Sequence, residues 1–246
     1  MSRRVLVLSD LHFGKKTDAY DLAEADRRVR EIPGRLPQSA PEAMHVLLVG
    51  DLADGSGIFA YQDTTTDANP MRQVAVCKGA LWQMLTDIAA AWPGVPIYVD
   101  SVPGNHGRLH PTADPRANWD NQITYFLAER AESCDRIDVR QNTHISRVVS
   151  VGDYRIAMLH RAEKHGATNA LAARVLRRLR HYRADLLVCG HWHTPGWYEM
   201  DGTPILLTNG SLCGPDEYSE QLGAFAPPSQ AVLEVGERVT CDWLRW

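Results

Sequence analysis

VPIYVDSVPGNHGR, residues 95–108, is an apolar, β-branched run that ends in an amide and an imidazole flanked by glycines. Runs of this length predict strands, and glycines let a backbone take positive φ and pass close to its neighbours. The turn is therefore built to aim Asn105 and His106 at something. The same design recurs on both sides, in VLVLSD at 5–10, HVLLVGD at 45–51, YRIAMLH at 154–160 and DLLVCGH at 185–191. TPILLTNG at 203–210 and QAVLEV at 230–235 continue the series. Several runs carry no polar interruption, which predicts strands buried on both faces. A helix is predicted over 69–92, with Asn69 as N-cap, Pro70 in its first turn and Val74, Cys77, Leu81, Met84, Ile88 and Trp92 on one face. A second, over 167–182, aligns Leu171, Val175, Leu179 and Tyr182; Arg174, Arg177, Arg178 and Arg180 opposite them read as a solvated basic face. Strands alternating with helices, closing in a strand-rich final third, predict an α/β sandwich of mixed sheets covered by helices. Ligands collect in such folds where strands end.

The chain has 246 residues, 44% of them hydrophobic, enough for one large core. No Pro-, Gly- or Ser-rich tract offers a linker, so residues 1–246 read as a single domain. A net charge of −4 gives no general attraction to phosphate backbones, so nucleic acid is not the favoured partner. The five cysteines, at 77, 134, 189, 213 and 241, are scattered and odd in number, which fits reduced core thiols in a cytoplasm. VLVL is too short for the core of a signal peptide, and no apolar run approaches the roughly 20 residues that cross a bilayer. The expectation is a soluble, cytoplasmic protein with no membrane partner; the sequence leaves the oligomeric state open.

The polar residues at the strand ends form a constellation: Asp10 and His12, Asp51, Asn105 and His106, His160, and His191 with His193. Side chains two apart in an extended segment share a side, so Asp10 with His12, and His191 with His193, are expected to converge. Imidazole, carboxylate and amide donors suit divalent first-row metals, whereas thiolates mark structural zinc sites. Even without His106, the seven remaining candidate ligands exceed the needs of one open catalytic ion, and Asp51, with two carboxylate oxygens, is the natural bridge between two.

The ordered series DxH, GD, GNH, H and GHxH resembles the calcineurin-like metallophosphoesterase superfamily, over the span from Asp10 to His193. The resemblance implies a four-layered α/β/β/α sandwich with two mixed sheets, and hydrolysis of phosphate esters at two metals. It implies that Asp10, His12 and His193 hold one ion, that Asn105, His160 and His191 hold the other, and that Asp51 bridges them. His106 matches the histidine that faces the substrate. Many members place an acidic residue after GNH where this chain has Gly107, and Asp54 in GDLAD is the candidate for the missing carboxylate. The histidine that commonly follows a glycine here follows Leu159. GNHGR together with NGSLCGPDEYSEQLG is similar to phosphoesterases encoded by phages.

The chemistry expected of such a centre is in-line attack by a metal-bridging hydroxide, with two ions, manganese foremost and iron, zinc or nickel as alternatives, neutralising charge on phosphoryl oxygens. His106 then protonates the departing oxygen. Asn105 and Arg108 stand beside it as candidate substrate contacts, Arg108 through its planar fork or, equally, as a surface ion pair. The loop 209–223, with Cys213, Asp216, Glu217 and Tyr218, reads either as a pocket wall or as a plain surface loop. The favoured substrate is a small phosphodiester such as a cyclic nucleotide. A DNA nuclease resembling repair exonucleases follows, then a broad phosphomonoesterase, and last a non-catalytic scaffold.

Overall fold

In the computed structural model, which describes residues 2–60, 62–161, 168–216, 219 and 225–246, β1 (Arg3–Leu8) shows how the apolar runs are used. Val5 and Val7 face one core while Leu6 and Leu8 face another, and all four are fully buried. Strand alternation lets one run serve two layers. β2 (Met44–Val49) repeats this, with Val46 and Leu48 on one side and Leu47 and Val49 on the other.

The first sheet adds β3 (Ile97–Val102), β4 (Ile137–Arg140), β10 (Ser229–Val235) and β11 (Val239–Arg245), in the order β11-β10-β1-β2-β3-β4. β1 to β4 are parallel, while β10 and β11 are antiparallel additions. The second sheet has the order β5-β6-β7-β9-β8, from β5 (Ser146–Val151), β6 (Tyr154–Leu159), β7 (Leu186–Cys189), β8 (Gly196–Met200) and β9 (Thr203–Thr208). It is mixed too: β6-β7 and β7-β9 run parallel, and the outer pairs antiparallel. The sheets meet through Val5, Val7, Leu47 and Val49 against Ile156, Met158, Leu186 and Val188.

Helices α1 (Leu22–Arg35), α2 (Pro70–Ala91) and α3 (Trp119–Ala131) cover the first sheet, and α4 (Thr168–Tyr182) covers the second through Leu171, Val175 and Leu179. The layers are therefore α/β/β/α. Asn69 caps α2 by accepting the Arg72 N–H. In that helix Gln73 is fully buried while Val74 is only partly so, because the Gln73 amide bonds both backbone groups of Gly55. Residue 167, placed in the last helix by periodicity, lies outside the described residues.

Two expectations need correction. The run 185–191 is a strand only as far as Cys189, after which Gly190 and His191 leave the sheet. The series of apolar runs also skips two strands: the candidate ligands follow β1, β2, β3, β6 and β7, with β4 and β5 intervening.

Candidate active site

Beyond their strands the β1 and β2 chains stay joined. Asp10 N–H donates to Gly50 C=O and His12 N–H to Asp51 C=O, each at 3.0 Å, and Phe13 N–H donates to Leu52 C=O at 2.9 Å. This holds Asp10, His12, Asp51 and Asp54 on two adjacent, fixed segments. Asp10 converges with His12 as expected, whereas His191 and His193 part to different donor groups, and strand alternation is the cause of neither: Asp10, His12, Asp51, His191 and His193 have φ of 53°, 44°, 51°, 74° and 54°. Among the described residues, Arg183 and Asp201 are the other non-glycines with positive φ. Left-handed backbone costs a non-glycine about 1–3 kcal/mol, and this strain is concentrated where side chains meet.

Three groups of candidate donors form, each with ligand atoms within 4.8 Å of one another: Asp10, His12 and His193; Asp51, His160 and His191; and His12, Asp51 and His106. His12 Nε2 faces His193 Nε2 at 3.1 Å, and His193 Nε2 lies 3.4 Å from Asp10 Oδ1. In the second group His160 Nε2 is 2.9 Å from Asp51 Oδ2 and 3.0 Å from Asn105 Oδ1. Asp51 belongs to two groups, and its Oδ1 accepts the His106 N–H at 2.7 Å.

Hydrogen bonds set the tautomers. His160 Nδ1 donates to Val49 C=O at 2.8 Å, and His12 Nδ1 lies 3.0 Å from Asp54 Oδ1, so both rings turn Nε2 toward the other donors. The same Asp54 oxygen is 3.2 Å from His106 Nδ1, and the other accepts from Thr66 Oγ1. Gly107 is needed for this path: a Cβ there would lie 2.4 Å from Asn118 Oδ1. A Cβ on Gly104 would lie 2.1 Å from both the Asp51 nitrogen and Oδ1, so the third strand's turn reaches the carboxylate only as glycine.

The donor set fits divalent cations, being oxygen and imidazole throughout with Nε2 atoms facing one another. The protonation pattern agrees. Burial pushes His12 down to about 4, with His106 adding to it, which leaves a lone pair for coordination. Burial acts the same way on His160, but the Asp51 carboxylate outweighs it and raises the pKa to about 10. The buried carboxylates thus draw positive charge, which a divalent ion supplies. For His106, burial opposes protonation while Asp51 and Asp54 favour it, with a net upward shift.

Asp120 is a part of the site that the motifs do not signal. Its buried carboxylate accepts the N–H groups of Asp51, Leu52, Ala53 and Gly104 at 2.8–3.3 Å, tying two ligand turns to the start of α3. Burial, together with the Asp51 charge, raises its pKa to about 6. Behind Asp10, Ser9, Asn209 and Gln230 form a fully buried network: Ser9 Oγ donates to Asp10 Oδ2 at 2.6 Å, and Asn209 Nδ2 donates to Ser9 Oγ and Gln230 Oε1.

Arg108 donates from Nε to Asn105 C=O and from Nη1 to Pro111 C=O, bracing its own loop. The 209–223 segment divides. Its first part is core and not a wall or surface loop, with Leu212 and Cys213 buried and Leu212 N–H bonded to Asp10 C=O. Asp216 forms an ion pair with Lys15, and Glu217 and Tyr218 lie outside the described residues. Among the described residues no helix is long and apolar enough to cross a membrane.

Imidazoles and carboxylates gathered at the carboxyl ends of parallel strands in a two-sheet sandwich define a metallophosphoesterase-type architecture. The chain belongs to the calcineurin-like phosphoesterase superfamily, whose domain model matches residues 4–235. No curated protein matches the sequence. Similar solved structures include a predicted phosphoesterase from Streptococcus pneumoniae, at 16% identity and TM-score 0.47, covering 100% of this chain and 90% of that one. An archaeal phosphodiesterase is 14% identical with TM-score 0.48, covering 98% and 99%. Vps29 of Entamoeba histolytica complexed with zinc is 20% identical with TM-score 0.44, covering 98% of each chain.

Proposed function

We propose that this protein is a dinuclear metal-dependent phosphodiesterase acting on small nucleotide diesters. The observation that carries the reading is the position of His106, with Nδ1 against Asp54 and its N–H on Asp51, the carboxylate that the His12–Asp51–His106 and Asp51–His160–His191 groups share. Asp10, His12 and His193 would hold one cation and Asn105, His160 and His191 the other, with Asp51 common to both. Bound divalent ions, manganese first among them, supply Lewis acidity toward phosphoryl oxygens and lower the pKa of water. The chain's own part is proton delivery. Asp54 fixes the His106 tautomer and, with Asp51, keeps its proton, leaving Nε2 to donate to a departing alkoxide. That help is needed by diesters with basic leaving groups.

Small substrates are favoured over polymers by the charges around the site. Lys15 is paired with Asp216, and Arg108 is engaged with two carbonyls, so neither extends a cationic track for a long backbone. The odd number of scattered cysteines supports a reducing compartment such as the cytoplasm. The test is kcat/KM for a cyclic nucleotide, a dinucleotide, a long single strand and a phosphomonoester across a salt series with manganese. Highest efficiency and a shallow salt response are expected for a small diester. A marked preference for the long strand makes it a nuclease, a preference for the monoester a phosphomonoesterase, and metal binding without turnover a scaffold.

A further inference from the structure

An exposed aromatic ring adjoins the general acid. The centroid of Phe59 lies 4.7 Å from that of His106, the planes tilted by 44°, while 43% of the residue remains in solvent. The Arg108 guanidinium lies over the same ring at 5.9 Å. A single exposed apolar ring is ordinary on a protein surface; what sets Phe59 apart is its place against His106 and Arg108 at the edge of the site.

The ring is also held in place. Buried Gln62 accepts the N–H groups of Ile58 and Phe59 through Oε1, at 2.8 and 3.2 Å, and its Nε2 donates to Asp54 C=O and lies 3.5 Å from His106 Nδ1. Asp63 accepts from Ser56 Oγ and Gly57 N–H at 2.7 and 3.1 Å. One side chain thus fixes the Phe59 backbone and contacts the acid pair, so the segment that carries the ring is tied to the acid.

The geometry points to Phe59 as the platform on which the planar base of the departing nucleoside stacks, a specificity role that rests on the phosphodiesterase reading above. His106 donates its proton to the leaving oxygen, so whatever lies against its neighbouring ring belongs to the leaving group and not to the retained phosphoryl side. In a nucleoside the base lies one sugar away from that oxygen. Aromatic faces stack any base, because each has a π surface, and Arg108 over the ring adds a cation that favours electron-rich planes. The selected class is therefore a nucleoside leaving group of broad base identity.

The experiment compares a dinucleotide with the analogue whose departing sugar carries no base, in the wild type, Phe59→Ala and Phe59→Trp, with manganese supplied. The wild type is expected to favour the dinucleotide by about tenfold in kcat/KM, chiefly through KM. Phe59→Trp should keep that preference. Phe59→Ala should erase it, by a selective loss on the dinucleotide. Equal losses on both substrates in Phe59→Ala would reduce the ring to a buttress for His106, and an unchanged preference would remove it from recognition; either overturns the proposal. Equilibrium titration with adenosine and with ribose gives a readout apart from turnover. A Phe59-dependent preference for adenosine in a protein that hydrolyses neither diester refutes the phosphodiesterase reading and upholds base stacking, whereas diester turnover with no such preference does the reverse.

Discussion

His12 and His106 share the Asp54 carboxylate and meet edge to face at 4.5 Å, yet His12 is fully buried while His106 keeps 24% of its side chain in solvent. The same contrast runs through the whole site. Asp10, His12, Asp51 and His160 form a floor less than 5% exposed, on segments locked to one another by backbone hydrogen bonds. Asn105, His106, His191 and His193 form a half-buried rim on the turns after β3 and β7. The floor has its proton states imposed by burial and by neighbouring carboxylates, as fits groups that hold cations. On the rim, His106 keeps the access to water that a group exchanging protons with substrate needs. Asp54 joins the two, with one oxygen serving a histidine of each kind.

The sharpest way to break this contrast is Asp51→Asn, on the floor and common to two donor groups. It should lower metal content at both and bring diester turnover to background, measured by elemental analysis alongside rates; two retained ions with wild-type rates would undo the two-metal assignment. Chelation of the wild type should match it. His106→Ala, on the rim, is expected to lose about a hundredfold toward a nucleotide diester, much less toward a nitrophenyl ester whose leaving group needs no proton, with metal content unchanged. Loss of metal in that variant would move His106 into the floor, in line with its place near His12 and Asp51. Asp54→Asn should give the same selectivity at about tenfold, since the amide still meets both rings but holds a proton on neither as strongly. The smallest effect on turnover is assigned to Asp120→Asn. Its new NH2 group faces two buried N–H donors that the carboxylate served, so about 2–4 kcal/mol of stability should be lost, seen as a fall of roughly 5–15 °C in Tm, while turnover below that temperature changes least of the four.

The floor and rim were legible in the sequence to different depths. Donor identities stand out because each follows an apolar run, and a strand end is where a fold of this type exposes side chains. The means of convergence was not legible, since left-handed φ is foreseeable at glycine and here falls on aspartates and histidines. Asp120, Gln73 and Asn209 escape because their partners lie far away in the chain and nothing in the local spacing marks them. α1 is hidden by its run of arginines and glutamates and by Pro33, which sits inside it. α3 is hidden because half of what it buries is polar, Asp120, Asn121 and Thr124 beside Ile123 and Leu127, so its apolar stripe is thin. The sheet alternation and the long amphipathic helices, which depend only on local periodicity, read directly.

The position of β1 between β2 and β10 has a consequence for the order of events at the ribosome. Val5 pairs with Leu233, and Ser9 with its bonded carboxylate, Asp10, is secured by Asn209 and Gln230. At about 5–20 residues per second, roughly 10–45 seconds separate translation of the first strand from that of its second neighbour. Throughout that interval the earliest carboxylate of the centre has one of its strand's two neighbours and lacks Gln230, which closes the buried polar network behind Ser9. On the reading proposed above, capture of cations at Asp10 would belong to the last stage of biogenesis, and a nascent chain stalled before residue 229 would carry every candidate ligand without a finished place to hold them.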